Sequence, residues 1–427
     1  MNQSMYDIYL YMLKSELIPA LGCTEPIAIA YAAAKAAELL GRPPQSIEMW
    51  CSGNIIKNVK SVIVPNSDGL KGIEAAAILG ALGGDPNKKL EVLEGVAPQA
   101  VTATKELVDT GFCKCQLAQG VANLYLVAKV SADGHTVEVE ITDMHTNITK
   151  ITKDGKILFE DKISGETDCD DDGKRLLNVK DILEFAKTVD LEDVKDILDN
   201  QIDMNLAISD EGLASHYGAA VGKTLMDVYG DDIKIRAKAR AAAGSDARMS
   251  GCPLPVVING GSGNQGMAVS LPVIEYAKEI GASRELLYRG LVLSNLVAMH
   301  QKKYIGSLSA YCGAVSAACG SGAAITYLHG GGYEQISKTI INTIANVGGI
   351  VCDGAKPSCA AKIASAVDAA IMAHYMSVND HSFQSGEGLV QDDVEQTIKN
   401  IGRVGRQGMR STDETVLSIM LQEESDT

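Results

Sequence analysis

Cys352 and Cys359 bracket a turn-forming Gly and Pro in the stretch VCDGAKPSC. A disulfide, a zinc ion, two corners of an iron–sulfur cluster and plain accident compete to explain the pair. A Cys-x₆-Cys loop lacks the short knuckle spacing of a zinc ribbon, and no histidine lies near it in sequence. Upstream, Cys312 and Cys319 are also seven positions apart, in a Gly/Ser-rich segment. A loop pair plus one thiol from such a segment can supply three corners of a cubane cluster. No cysteine follows Cys359 and the sequence closes with LQEESDT, so the tail is expected to offer no fourth thiol. Three ligands leave one iron able to act as a Lewis acid.

Other residues suggest complementary chemistry. In GCTEP (22–26), Cys23 precedes a helix beginning near Pro26, with Thr24 or Glu25 as cap. A helix N-terminus favours a thiolate, so Cys23 is a candidate reactive or basic group; an ordinary buried turn residue is the plainer reading. SGNIIKNVKSV (52–62) carries Asn54, Lys57 and Asn58, and Lys57 can pair with a substrate carboxylate or lie on the surface. The loop INGGSGNQG (258–266), with Asn264 and Gln265, leads into a helical run. It has neither P-loop nor dinucleotide-fold spacing, but a Gly-rich turn into a helix suits a small anion such as an amino-acid carboxylate; a flexible connector is the alternative. His145 in DMHTNI reads as a hydrogen-bonded structural histidine.

These groups need a scaffold, and the 427-residue length allows two domains. Hydrophobic residues at 46% and charged ones at 22% are the balance of a globular chain. Aromatics at 4% and abundant Ala and Gly predict closely packed helices. A net charge of −16 without a Lys/Arg cluster argues against nucleic acid. No secretory signal is visible at the start, and the uncharged run 306–328 is too rich in Gly and Ser for a membrane span, so it reads as a buried helix. A cytoplasmic location follows as the expectation, and there ten cysteines stay reduced. Cys51, Cys113 and Cys115 read as small hydrophobes, and Cys169 as an exposed loop residue.

The first 40 residues read as two helices, the second running from Pro26 to Gly41. SIEMWCSG and VKSVIVPN read as strands, GLKGIEAAAILGALGG as a helix, and 122–153 as antiparallel strands with turns at Asp133-Gly134 and Asp154-Gly155. GETDCDDDGK (165–174) reads as a polar loop, and nearly everything from 176 onward as helix. The expected fold class is α+β: a domain of mixed helix and antiparallel sheet over 1–175, and a mostly helical, cluster-binding domain over 176–427.

GCTEP, SGNIIKN, GLKGIEAAAILGALGGDP, GGSGNQG, SLSAYCGAVSAACGSGAAITYLHGGG and CDGAKPSCAAKI together resemble the iron–sulfur L-cysteine desulfidase family, a distant relative of the alpha domain of iron–sulfur L-serine dehydratases. The blocks run in order from about residue 20 to 370. The resemblance implies a 4Fe–4S cluster, no pyridoxal phosphate, and conversion of L-cysteine to pyruvate, ammonia and hydrogen sulfide, the substrate sulfur bound at the open iron. It puts the cluster ligands on Cys312, Cys352 and Cys359, with Cys319 the alternate to Cys312, and the proton acceptor on Cys23. Asn54, Lys57, Asn58, Asn264 and Gln265 are then candidate anchors for the substrate carboxylate and amine, and Lys356 a candidate to offset cluster charge. Dehydration of L-serine or another β-substituted amino acid, and a non-catalytic cluster-bearing sensor, are the rival readings. A homodimer is the expected assembly.

Overall fold

A computed structural model of the chain describes residues 1–161, 171–306 and 308–421. The first half runs α1 (Gln3–Glu16), β1 (Pro19–Leu21), α2 (Thr24–Leu40), β2 (Ser46–Cys51), α3 (Gly53–Val59), α4 (Gly72–Gly83), α5 (Pro98–Leu107), β3 (Cys113–Leu117), β4 (Tyr125–Ala132), β5 (His135–Thr142), β6 (Ile148–Lys153) and β7 (Lys156–Glu160). The second runs α6 (Asp171–Arg175), α7 (Val179–Thr188), α8 (Leu191–Ala214), α9 (Val221–Tyr229), α10 (Ile233–Met249), β8 (Pro255–Val257), α11 (Gly263–Glu279), α12 (Arg284–Ile305) and α13 (Gly313–Leu328). It ends with α14 (Tyr333–Val347), α15 (Cys359–Val378), α16 (Val394–Arg403) and α17 (Arg410–Leu421). This is the expected α+β class.

Six strands form one sheet in the order β3-β2-β4-β5-β6-β7, with β2 and β3 parallel and the other neighbours antiparallel. Alternate residues face inward, as a half-buried sheet requires: Met49, Ala128 and Val139 lie opposite one another and are fully buried. Helix α2 crosses this face over β4 and β5. Both Asp-Gly turns form as expected, each with positive φ at its Asp and its Gly, the backbone a tight hairpin needs.

One strand expectation fails. Residues 53–59 are the helix α3, and 60–66 form an irregular segment with a single bridge, Ile63 to Lys71. The β-branched run VKSVIVPN looks like a strand, but the helix that Ser52 starts by accepting from the N–H of Ile55 takes the run's first residue, Val59. The rest turns back through the Val64 N–H to the Leu70 carbonyl. The acidic stretch at 165–174, including Cys169, falls largely outside the described residues.

In the second half, α13 is wrapped by α11, α12, α14 and α15, and its Ala, Gly and Ser side chains let these neighbours close in. It is the buried helix the sequence suggested. Among the described residues no helix is long and apolar enough to cross a membrane. Strand β1 pairs antiparallel with β8, so residues 19–21 are stitched to 255–257 across the two halves. That pairing brings the GCTEP turn beside the Gly-rich loop, where Thr24 Oγ1 donates to the Gly261 carbonyl at 2.9 Å.

Candidate active site

Two loops carry three of the expected cysteines to one wall of a cavity of about 980 Å³. Residues 310–312 and 350–352 run antiparallel: the N–H of Cys312 donates to the Ile350 carbonyl at 3.0 Å, and that of Cys352 to the Ala310 carbonyl at 2.6 Å. Cys312 is the N-cap of α13, and Cys359 is the first residue of α15. Two of the three thiols therefore sit where a helix dipole favours negative charge. Gly354, at φ +94°, packs against the carbonyl of Lys57, where a Cβ would come within 2.2 Å. Only glycine allows the loop to lie so close to α3.

Burial, and then the neighbouring Cys352, push the Cys312 thiol up to about 12, and burial raises Cys359 as well. Metal coordination deprotonates such thiols outright. Among the described residues, no three Cys, His, Asp or Glu side chains converge tightly enough to hold a single ion. Cys312, Cys352 and Cys359 line one cavity, and three thiols are the donor set that three corners of a cubane use. The Lys302 side chain, on α12, faces Cys312 and Cys352 and supplies positive charge there. Cys319 points elsewhere. It lies seven residues, about 10 Å, further along α13 and is fully buried in the core.

The lining that adjoins the cysteine loop comes from the first half. Cys23, rather than Thr24 or Glu25, is the N-cap of α2, and it makes no capping hydrogen bond. Its Sγ donates instead to Glu25 Oε2 at 3.0 Å, and it packs with Val62, Met249, Ala355 and Cys359. Burial, followed by the Glu25 charge, raises the Cys23 thiol well above its ordinary value. The thiolate expected from helix position is thus a protonated thiol in the resting site. Burial opposes the charge of Glu25, but His145 and the Cys23 hydrogen bond overcome it and hold the carboxyl down to about 2. Asn58 Nδ2 also donates to Glu25 Oε1, at 3.2 Å. His145 Nε2 stands 3.9 Å from the same oxygen, too far for a good hydrogen bond but close enough for charge attraction.

Of the candidate anchors, Asn58, Asn264 and Gln265 line the cavity. Asn54 is on α3 away from the cavity wall. Lys57 is not an anchor either, and this corrects the expectation. It is 1% exposed and forms an ion pair with Asp413 of α17, while its Nζ also donates to the Cys352 carbonyl at 3.4 Å. The second carboxylate oxygen of Asp413 accepts from the Ala310 N–H at 2.8 Å. The Lys57–Asp413 pair thus ties α3 to both strands of the cysteine ladder, the carboxylate at Ala310 and the ammonium at Cys352. Lys356 likewise folds back, onto Asp353 and the loop carbonyls. Lys302 and Arg248 line the cavity although no motif marked them, and Glu25 and His145, read from sequence as a cap and a structural histidine, line it too.

The Lys57–Asp413 tie has a measurable weight. Asp413→Ala leaves a buried ammonium without its counter-charge, which costs about 3–5 kcal/mol in denaturant unfolding. The double variant Lys57→Met/Asp413→Ala removes both charges and recovers most of that loss. A single variant within about 0.5 kcal/mol of wild type contradicts the assignment.

A family model described as serine dehydratase alpha chain matches residues 87–418 of the chain, a span that includes Cys312, Cys352 and Cys359 but not Cys23. A UPF0597 protein of Lachnoclostridium phytofermentans is 56% identical over 419 residues, covering 98% of this chain and 100% of the relative. A UPF0597 protein of Finegoldia magna is 51% identical over 415 residues, 97% and 99% of the two chains. One of Treponema denticola is 47% identical over 429 residues, 99% and 100% of the two chains.

Proposed function

The chain belongs to the serine dehydratase alpha-chain family, and from that premise we propose that it is an iron–sulfur L-cysteine desulfidase, a lyase yielding pyruvate, ammonia and hydrogen sulfide. The observation that carries the reading is the shared cavity: Cys312, Cys352 and Cys359 line it together with Cys23 and Glu25, and Cys23 packs against Cys359. The three wall thiols would hold a 4Fe–4S cluster, and no pyridoxal phosphate is required. The ordered sequence blocks that resemble the desulfidase family favour sulfur over hydroxyl as the leaving group.

Cys23 is the proposed acceptor of the Cα proton. Its thiol must first lose its own proton, which burial and Glu25 oppose. A substrate ammonium near Glu25 neutralises that charge, so the amino acid itself lowers the barrier to forming the base. Asn58, which already donates to Glu25, holds the carboxylate in place meanwhile. A bound cluster would supply Lewis acidity to the departing sulfur. Removal of the Cα proton with loss of the sulfur gives 2-aminoacrylate, which tautomerises to an imine and hydrolyses to pyruvate and ammonia. Burial of the Cys23 side keeps bulk water from the base during the proton transfer.

The test is anaerobic: pyruvate released from L-cysteine and from L-serine by iron-replete protein, with sulfide measured in parallel. The expected kcat/KM for L-cysteine exceeds that for L-serine by about 100-fold, the scale on which a site discriminates one substituent. A preference for serine replaces the desulfidase by a dehydratase. Iron-replete protein that releases product from neither points to a sensor.

A further inference from the structure

Arg248 is the largest fully buried side chain of the described residues, at 2% exposure, yet its Nε and Nη2 have no hydrogen-bond partner. No ion pair among the described residues includes it. An uncompensated buried guanidinium is strongly destabilising, so its place needs a reason beyond packing. It lines the site cavity, and it lies near enough to Cys23 for its charge to act on that thiol.

What the guanidinium faces is specific. Gly263, the first residue of α11, lies so close that a Cβ there would stand 2.4 Å from Arg248 Nε and 2.8 Å from Cζ. The fork is therefore laid against the first turn of a 17-residue helix. The N–H groups of Gly263 and Asn264 in that turn have no intrahelical acceptor, and the Ser262 side chain takes only the N–H of Gln265. A planar fork of donors beside free backbone N–H groups at a positive dipole end matches one ligand chemistry, a carboxylate. The side-chain oxygens of Asn264 and Gln265, the next two residues of that turn, are buried without partners and line the same cavity, acceptors suited to an ammonium.

We propose that Arg248 and the first turn of α11 form the subsite for the substrate's α-carboxylate, with the side-chain oxygens of Asn264 and Gln265 joining Glu25 as acceptors for its α-ammonium. This rests on the amino-acid lyase reading above and deepens it. The ligand's carboxylate then compensates the guanidinium, and the cost of burying that charge is recovered on binding. The subsite selects free α-amino acids and rejects their amides and esters. It leaves the β-substituent to the thiol-lined wall. Lys302, another cation lining the cavity, faces Cys312 and Cys352 instead.

The experiment uses anaerobic, iron-replete protein with Arg248→Gln, Arg248→Lys and Lys302→Gln. Two readouts run side by side: KM for L-cysteine against L-cysteine amide, and calorimetric titration with pyruvate as a bare carboxylate probe. Arg248→Gln is expected to keep its iron, to raise KM for L-cysteine by about 30-fold or more, and to lose both pyruvate binding and the preference for acid over amide. Arg248→Lys retains charge without the fork and falls between. The melting temperature of Arg248→Gln without ligand should equal or exceed that of wild type, because an unpaired charge has gone; this separates a binding role from a structural one. Unchanged KM and pyruvate affinity in Arg248→Gln, or loss of pyruvate binding in Lys302→Gln alone, overturn the subsite. Arg248-dependent pyruvate binding in protein that turns over no amino acid supports the subsite while defeating the lyase reading.

Discussion

Serine at position 352 or 359 is expected to strip most of the iron from anaerobically purified protein and to lower turnover by about 1000-fold or more. A Lewis acid at a departing group contributes several kcal/mol to the transition state, and each 1.36 kcal/mol is tenfold in rate. The hydroxyl of serine is a far weaker ligand for iron than a thiolate, and the loop has no spare donor to replace it. Asp353, the one carboxylate inside the loop, is engaged by Lys356 and Lys362. Cys319→Ala serves as the control. Its side chain lies in the core of α13, so the variant should retain iron while losing some stability. Iron analysis and the visible absorption of the protein read the result, and a full iron complement in Cys352→Ser refutes the ligand set.

Cys23→Ala is expected to do the reverse: iron retained, turnover lowered by about 100- to 10,000-fold, the range spanned by a positioned proton acceptor. The fold should tolerate the change. Cys23 makes no capping hydrogen bond to α2, and Glu25 keeps Asn58 and Thr24 as donors. Single-turnover measurement under anaerobic conditions, with iron determined on the same sample, separates loss of the base from loss of the cluster. Wild-type turnover in Cys23→Ala removes this residue from the chemistry and leaves Glu25 as the acceptor nearest to it.

Local signals carried much of the fold into the sequence. A proline near the start and a glycine after the end mark α2, and Asp-Gly pairs mark two hairpins. The two-residue alternation from 125 to 142 marks the face that α2 covers. Segment 59–66 misled because Val and Ile dominate its composition, but Val59 closes α3 and only Ile63 forms a bridge, to Lys71. The site was legible where chemistry sits in short stretches, as in VCDGAKPSC and GCTEP. It was illegible where meaning depends on a distant partner. Lys57 looks like an anchor until Asp413, 356 positions away, is seen to hold it. Arg248 lies in RMSGCPLP, which has no motif, and its significance is the absence of a partner in three dimensions. Asn58 and His145 converge on Glu25 only because the β5–β6 turn and α3 meet above the start of α2.

The Asp413 tie has a consequence for how the molecule is made. A ribosome delivers Cys23 first, then Arg248, then the three wall cysteines, and only afterwards the carboxylate that joins Lys57 to the backbone at Ala310. Until that carboxylate has emerged, the ladder joining 310–312 to 350–352 lacks its outer clasp. The nascent chain therefore holds its thiols in a looser frame than the finished one, and the last turn of the story is told by a residue that never touches the reacting atoms.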